Sequence, residues 1–371
     1  MAMSTDSTHA SSGYRMPPEW HRHAQSLTVW PDFDSIGDVE GLKKARAEVS
    51  AISNAIARFE PVTMFTRPQN MEQASRSVSG NVTVRPLDAS QLWIRDTGPI
   101  FVHERNSGCL TGLKLGFNHW GSKLPSTGDE KVAADIQIMA ASAMGREGQE
   151  TWPVLEEKVI PMSDAGFVSE GGAIEIDGQG TLLATKSSII NPNRNPGKSK
   201  EEIEEAFSKF FGITKIIWIP GVKDYDITDY HIDAFARFIK KGQVLLSRPS
   251  KRAESRAIQA FEEAKEILNR ETDCQGNSLD VVEVEEPHRN DLPGEVWEGD
   301  MAVASYANYY LVNGGLIMPR FGVGKLDDDA YELFCQYFPD REIVQVDLNT
   351  LPKLGGGIHC ATQQVPMEAD Q

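Results

Sequence analysis

The 371-residue chain is poor in cysteine and has no long apolar run. Its four cysteines are widely spaced and form no C-x-x-C pair, which argues against a disulfide framework and a zinc site and favours a reducing compartment. No apolar stretch is long enough to span a bilayer, and the polar start MAMSTDSTHASS lacks the hydrophobic segment of a signal peptide. We therefore predict a cytoplasmic protein without a membrane partner, whose residues 1–13 form a disordered polar tail.

Basic residues are also scarce, with 37 Lys and Arg against 54 Asp and Glu and a net charge of −17. A nucleic-acid partner needs a basic surface, so we expect none. An acidic surface has the right sign for a small cationic substrate. The length suits two ordinary domains or one large closed fold.

A repeated order of helix, strand, loop and hairpin occurs about five times along the chain. The predicted helices cover residues 38–59, 129–145, 199–211, 251–269 and 326–338. The strands that follow them cover 62–65, 154–160, 215–219, 281–284 and 343–346. The clearest hairpins pair 173–176 with 181–184, 235–239 with 244–247, and 309–312 with 316–318. This order predicts an α/β fold.

The last predicted strand, 362–365, has no obvious partner unless residues 27–30 pair with it and close the repeats into a ring. An ordinary open α/β sheet is the alternative. Closure is favoured because Asp96, Glu170, the His231–Asp233 segment and Cys360 all lie in the loop between strand and hairpin of their repeats. In a closed ring these loops would meet at one axis.

Cys360 follows three glycines in GGGIHC, the pattern of a backbone that turns sharply and approaches a ligand closely. A buried structural cysteine is the alternative to a nucleophile. Asp96, in WIRDTGP, can accept two N–H bonds from a guanidinium, or it can pair with Arg95. Glu170 precedes two glycines and is either a ligand for a cation or a surface residue.

His231 and Asp233 are two residues apart, and on a strand they would share one face, as acid–base work requires. A thiol, a histidine and several carboxylates together suit nucleophilic substitution at an amidine carbon by the Cys360 thiol. Asp96, with either Glu170 or Asp233, would orient a guanidinium. His231 would protonate the departing ammonia and then deprotonate the hydrolytic water. No metal or organic cofactor is expected.

Seven motifs resemble those of the agmatine deiminases, a family of the guanidine-modifying (pentein) superfamily. They are RMPPEWHRHAQSLTVWP (15–31), WIRDTGP (93–99), FNHWGSK (117–123), SEGGAIEIDGQGTLLAT (169–185), HIDAFARF (231–238), SYANYYLVNGG (305–315) and GGGIHCATQQVP (355–366).

The resemblance implies a five-bladed α/β propeller in which residues 14–371 form a single catalytic domain. It implies that Cys360 carries the amidino group, that His231 is the acid–base, and that Asp96, Glu170 and Asp233 hold the guanidinium. Trp93 and Gly357 would line the substrate pocket. The implied reaction converts agmatine and water to N-carbamoylputrescine and ammonia, a step toward putrescine. A homo-oligomer is the assembly that we expect.

Two features depart from the family pattern and bear on the substrate: Tyr230 replaces a usual glycine, and segment 124–128 is shorter and less acidic. Deimination of arginine or peptidyl-arginine is the alternative in substrate, and amidino transfer to an amine is the alternative in reaction. A propeller that only binds partners is the alternative of a different class.

Overall fold

The computed structural model describes residues 12–142, 154–293 and 303–368. Residues 1–11 of the predicted tail lie outside the described residues. Five sheets share one construction, in which an antiparallel pair of strands is extended by a strand parallel to its second member. Each sheet is one blade of an α/β propeller.

The blades are numbered here in the order of their hairpins. Blade 1 contains Ile100–Glu104, Leu110–Lys114 and Met162–Asp164, with Tyr14–Arg15 on its edge. Blade 2 contains Glu175–Ile176, Thr181–Thr185 and Lys215–Ile219, and blade 3 contains Ala236–Lys240, Gln243–Arg248 and Asp280–Glu285. Blade 4 contains Tyr310–Val312, Gly315–Arg320 and Glu342–Asp347. Blade 5 contains Gln363–Pro366, His23–Val29, Val62–Thr66 and Val82–Pro86.

Blade 5 closes the ring because it joins strands from the two ends of the chain. Gln363 lies opposite Leu27, and Val365 lies opposite Gln25, in an antiparallel pair. The predicted closure is confirmed, and the open-sheet alternative is wrong.

Helices connect the strands and cover them. The longer ones are Val39–Ile56, Lys200–Phe211, Ser255–Arg270 and Lys325–Tyr337. The shorter ones are Phe33–Ile36, Met71–Ser77, Ile94–Thr97, His119–Ser122, Val132–Asp135 and Lys186–Ile189. Asp38 caps the first long helix through the Gly41 N–H, and Ser199 and Glu202 form a capping box on the second. Within the described ranges, no helix combines the length and apolarity needed to cross a bilayer.

One predicted unit is wrong. In place of a helix over 129–145, a short turn of helix ends at Asp135 and a strand, Met139–Ser142, follows; residues 143–145 lie outside the described residues. Ile136 and Ile138 are both buried, which is the two-residue period of extended chain rather than a helical period. The predicted strand 154–160 exists as Val154–Val159, but it pairs with Met139–Ser142 outside the blades.

Candidate active site

The candidate residues lie in the loops that join the last strand of one blade to the hairpin of the next. The loop ahead of blade 1 carries Asp96, and those ahead of blades 2 and 3 carry Glu170 and the His231–Asp233 segment. The loop ahead of blade 5 carries Cys360. All five side chains are at most 8% exposed, so Glu170 is not a surface residue. Ring closure brings these loops together, as the contacts below show.

Asn308, in the loop ahead of blade 4, holds the cysteine loop in place. Its Oδ1 accepts the backbone N–H groups of His359 at 3.0 Å and of Cys360 at 3.4 Å. Its Nδ2 donates to Cys360 Sγ at 3.3 Å. The thiol is therefore fixed by one amide that contacts both its backbone and its sulfur.

Two glycines allow this packing. A Cβ on Gly357 would lie 2.5 Å from Asn308 Oδ1, and a Cβ on Gly356 would lie 2.5 Å from the Trp93 ring. Because real Cβ atoms do not approach this closely, neither position tolerates a side chain without displacing the Cys360 loop or Trp93. Trp93 thus packs against the cysteine loop, beside the site.

Asp96 does not pair with Arg95. Its Oδ2 accepts from Trp120 Nε1 at 2.9 Å and its Oδ1 accepts from the Gly172 N–H at 3.0 Å. Arg95 instead donates to Gln364 Oε1 at 2.7 Å. Burial raises the pKa of the Asp96 carboxyl, an effect that the charge of His231 opposes.

Glu170 is anchored from behind by a buried arginine. Arg194 Nε donates to Glu170 Oε1 at 2.6 Å, and Arg194 Nη1 donates to Asp229 Oδ2 at 3.0 Å. Burial alone would raise the pKa of Glu170, but the charges of Arg194 and His231 lower it below its ordinary value. Glu170 is therefore an anionic side chain with Oε2 turned toward His231.

His231 lies between two carboxylates, with Nε2 at 3.4 Å from Glu170 Oε2 and Nδ1 at 3.8 Å from Asp96 Oδ2. Burial lowers the pKa of His231, but the charges of Asp96 and Glu170 outweigh burial and raise it to about 9. The imidazole therefore carries a proton at neutral pH.

The predicted strand through His231 and Asp233 is wrong. His231 precedes a 3-10 turn, Ile232–Ala234, and the preceding Asp229 and Tyr230 have φ values of 62° and 75°. These left-handed residues turn the chain sharply, so extended backbone cannot run through the segment. The turn still directs both side chains toward the site.

Asp233 lies between Cys360 and a buried histidine, His359. Its Oδ2 lies 3.5 Å from Cys360 Sγ and accepts from His359 Nδ1 at 2.7 Å. The other ring nitrogen of His359 lies 2.7 Å from Glu19 Oε2, which also contacts Arg237 Nη2 at 2.9 Å. Burial would raise the pKa of Asp233, but the His359 hydrogen bond lowers it.

The Cys360 thiol is held in its neutral form by its surroundings. Burial, together with the charges of Asp233 and Asp96, raises the pKa of its thiol well above the ordinary value. A cation placed among these carboxylates would remove much of that repulsion.

Asp96, Asp233 and His231 surround the space next to the Gly172 Cα, where a side chain would begin. A Cβ added there would lie 2.7 Å from His231 Nδ1, 3.0 Å from Asp96 Oδ1 and 3.1 Å from Asp233 Oδ2. Both His231 Nδ1 and Asp233 Oδ1 are buried without a hydrogen-bond partner within the described part of the chain. Buried polar atoms without partners are costly, and a planar cation with several N–H groups would supply donors for the carboxylate.

Gly172→Ala is expected to lower kcat/KM by at least about 100-fold, because the new methyl group would displace the acid–base pair or the substrate. The substitution adds no charge and lies on backbone without a positive φ. Steady-state kinetics with a matched thermal-unfolding curve would check this. Gly80→Ala is the control, since a Cβ there meets nothing within 4 Å; equal activities of the two variants would contradict the prediction.

Tyr230 has a backbone conformation that favours glycine, with φ of 75°. Its ring packs edge-on against Tyr225 at 5.2 Å and Phe235 at 4.9 Å between ring centroids. The phenol thus forms an aromatic wall beside His231.

Sequence reasoning missed several residues that the structure brings to the site. Asn308 lies in the SYANYYLVNGG motif, just before the hairpin of the fourth repeat. The other candidate residues lie in the same place in their own repeats, so this position could have identified Asn308 from the sequence. Trp120 lies in FNHWGSK, where His119–Ser122 all have positive φ, which only coordinates reveal. The contacts of Arg194 and His359 have no local sequence signal, because their partners lie 24 and 126 residues away.

Comparison with known proteins gives a consistent result. Residues 15–366 match the sequence model of the family described as Porphyromonas-type peptidyl-arginine deiminase. Agmatine deiminases from Pseudomonas aeruginosa LESB58 and Stutzerimonas stutzeri A1501 are 33% and 34% identical, each alignment covering 97% of both chains. The structure of Enterococcus faecalis agmatine deiminase matches with a TM-score of 0.83 and 27% identity over 96% of this chain and 97% of that one. The chain therefore belongs to the agmatine deiminase family, matched by the Porphyromonas-type peptidyl-arginine deiminase model, within the pentein superfamily.

Proposed function

We propose that this protein is an agmatine deiminase, which hydrolyses the guanidinium group of agmatine to N-carbamoylputrescine and ammonia, a step in putrescine and polyamine synthesis. The observation that carries this proposal is the placement of Cys360 Sγ 3.5 Å from Asp233 Oδ2, in a buried site that Asp96, Glu170 and His231 share. Guanidinium is the planar cation that suits such a set of carboxylates.

Binding begins with the carboxylates. Asp233 Oδ1, which has no partner within the described residues, accepts an N–H of the guanidinium, and Asp96 and Glu170 hold the remaining edges. This arrangement fixes the guanidinium plane against Sγ, so that attack occurs from a prepared geometry. Arg194 and Trp120 keep the two outer carboxylates in position.

The bound cation then activates the thiol. A unit charge at ~4 Å and an effective dielectric of ~20 contributes ~4 kcal/mol, about three pKa units, before desolvation is subtracted. This attraction opposes burial and the charges of Asp233 and Asp96, which raise the pKa of Cys360. The thiol proton leaves to solvent as substrate binds, and the thiolate attacks the guanidinium carbon.

His231 serves both halves of the reaction. As a protonated imidazole it donates its proton to the departing amino group, so the C–N bond breaks and ammonia departs. The amidino group stays bonded to Cys360 Sγ. Neutral His231 then accepts a proton from water, whose oxygen attacks the same carbon. Cleavage of the C–S bond returns the thiolate, and the product hydroxyl loses its proton to solvent, so the neutral ureido product is released.

Family relatives support the substrate, since those from Pseudomonas and Stutzerimonas are agmatine deiminases. The pairing of strands from both chain ends supports a single catalytic domain over 14–371. All four cysteines lie within the described residues and none forms a disulfide, which supports a cytoplasmic location. Assembly into a homo-oligomer stays a prediction.

A panel of guanidines tests the function. Agmatine is expected to yield equal amounts of N-carbamoylputrescine and ammonia, with kcat/KM at least about 100-fold above that of arginine or a short arginyl peptide, because a substrate carboxylate would meet an acidic site. Product chromatography with an ammonia assay would measure this. Preference for the peptide would move the function to peptidyl-arginine deimination, and dependence of turnover on an added amine would indicate amidino transfer.

A further inference from the structure

Asn308 touches the sulfur of Cys360, yet the reaction steps proposed above do not involve it. It lies in the loop ahead of blade 4, two residues before the strand Tyr310–Val312, and its side chain is 1% exposed. The loops ahead of the other four blades carry the candidate catalytic residues described above. Each of the five loops therefore brings a polar side chain to the site, and the one from blade 4 is an amide.

The orientation of this amide is fixed by its neighbours. Asn308 Oδ1 accepts the backbone N–H groups of His359 at 3.0 Å and of Cys360 at 3.4 Å. Because a backbone N–H can donate to an amide oxygen but not to its NH₂ group, Nδ2 is the atom that faces Sγ, at 3.3 Å. The Asn308 backbone is held too, since its carbonyl accepts from the His359 N–H at 3.1 Å and its own N–H donates to the Ser305 carbonyl at 3.2 Å.

An N–H donor at sulfur favours the charged form of the thiol. Hydrogen bonds to an ionised acceptor are roughly twice as strong as neutral ones, so Nδ2–H binds a thiolate more tightly than a thiol. Burial and the charges of Asp233 and Asp96 raise the pKa of Cys360. The Gly357 N–H and the Asn308 amide act in the opposite direction. Since Asp233 Oδ2 lies 3.5 Å from Sγ, the amide opposes a carboxylate at close range.

We propose that Asn308 is a catalytic residue whose Nδ2–H group stabilises the Cys360 thiolate, both when it attacks the guanidinium carbon and when it leaves. In the last step the C–S bond breaks and its electron pair returns to sulfur, where the same N–H group meets the charge. A donor that is already in place costs no reorganisation at the moment of reaction. The effect on turnover rests on the proposed function.

The experiment measures the rate at which iodoacetamide alkylates Cys360 as the pH is raised, because the thiolate is the form that reacts. Iodoacetamide is uncharged, so the carboxylates of the site do not repel it. Asn308→Leu is nearly isosteric, adds no charge and removes the N–H donor. Its alkylation profile is expected to move up by about one pH unit or more, since a hydrogen bond to a charged group is worth roughly ten- to 100-fold. Its kcat for agmatine should fall by at least about 100-fold.

A purely structural role for Asn308 predicts the opposite change in alkylation. If the amide did no more than hold the cysteine loop, Asn308→Leu would loosen the loop and uncover the buried thiol. Alkylation of Cys360 would then be faster at each pH, with a profile that stays in place or moves to lower pH. Either of these profiles in a folded Asn308→Leu enzyme would overturn the proposal.

A second variant covers the case in which Asn308→Leu does not fold. Asn308→Asp retains an acceptor for the two backbone N–H groups and replaces the donor with a carboxylate oxygen, so its profile should also move to higher pH. An unshifted profile overturns the proposal. Asn54→Asp is the control for the added charge, since Asn54 Oδ1 likewise accepts a backbone N–H, from Ser79 at 2.6 Å, but lies on the outer helix Val39–Ile56. Its profile and turnover should equal those of the wild type, and exposed Cys335 is the internal standard for the reagent.

The outcomes separate this proposal from the function on which its effect on turnover rests, because alkylation needs no substrate. If the wild type releases no ammonia from agmatine but Asn308→Leu shifts the profile upward, the proposed function fails and the stabilisation of the thiolate is supported. If the wild type deiminates agmatine and the profile of a folded Asn308→Leu enzyme coincides with that of the wild type, the role of Asn308 is overturned while the deimination stands.

Discussion

Cys360→Ser is expected to lower kcat for agmatine by at least about 10⁴-fold, because a hydroxyl in place of the thiol is a far weaker nucleophile at neutral pH. The substitution is nearly isosteric and retains a hydrogen-bonding partner for Asn308 Nδ2, so the fold should persist. Ammonia release from agmatine measures the loss, and circular dichroism and thermal unfolding report on the fold.

Cys274→Ser is the matched control, since Cys274 lies outside the site and its thiol donates to the Gln179 carbonyl at 3.2 Å. Its activity should equal that of the wild type. A Cys360→Ser enzyme with measurable turnover near the wild-type rate would remove covalent catalysis by this thiol and refute the mechanism.

His231→Ala is expected to lower kcat by about 10³–10⁴-fold, because both the leaving ammonia and the attacking water lose their proton carrier. Slow second-half chemistry should leave the amidino group on Cys360, which intact-protein mass spectrometry would detect as an added mass that Cys360→Ser lacks. In the wild type, kcat/KM should fall as the pH rises through about 9, where the His231 proton is lost. Full activity of His231→Ala, with the alkaline decline unchanged, would exclude histidine from the mechanism.

The same protonation affects stability in a defined direction. The pKa of His231 rises from 6.5 to about 9 on folding, so its stabilising contribution is complete below 6.5 and is lost as the pH increases through 9. The difference in free energy of unfolding between the wild type and His231→Ala should therefore shrink across that interval.

Much of the fold could be predicted because its signals are local. The helix over Val39–Ile56 has a buried face that includes Val49 and Ile52, and an aspartate caps its start. The hairpin at Asn313–Gly315 has turn residues between apolar strands. The unit near residue 130 could not be predicted, since Val132 and Ile136 have a helical spacing whereas Ile136 and Ile138 alternate as in a strand, and so few residues do not separate the two periods.

Part of the candidate site could also be predicted from local sequence, and part could not. Asp96, Glu170 and Cys360 each lie beside glycines or a tight turn, so the chain marks them locally. The buried pairs Glu170–Arg194 and Asp233–His359 depend on how distant loops pack, and no local pattern encodes them. The strand assigned to His231 failed because Asp229 and Tyr230 adopt a left-handed backbone, which Asp tolerates without requiring and which Tyr rarely adopts.

Cys360, the proposed nucleophile, lies three residues before Gln363, which begins the strand that pairs with His23–Val29. A chain emerging from the ribosome therefore holds Asp96, Glu170 and His231 long before it gains a reactive sulfur. Chemistry starts only when the final strand docks beside one of the earliest. Partly folded molecules are therefore expected to be catalytically silent, so that activity would report a complete ring.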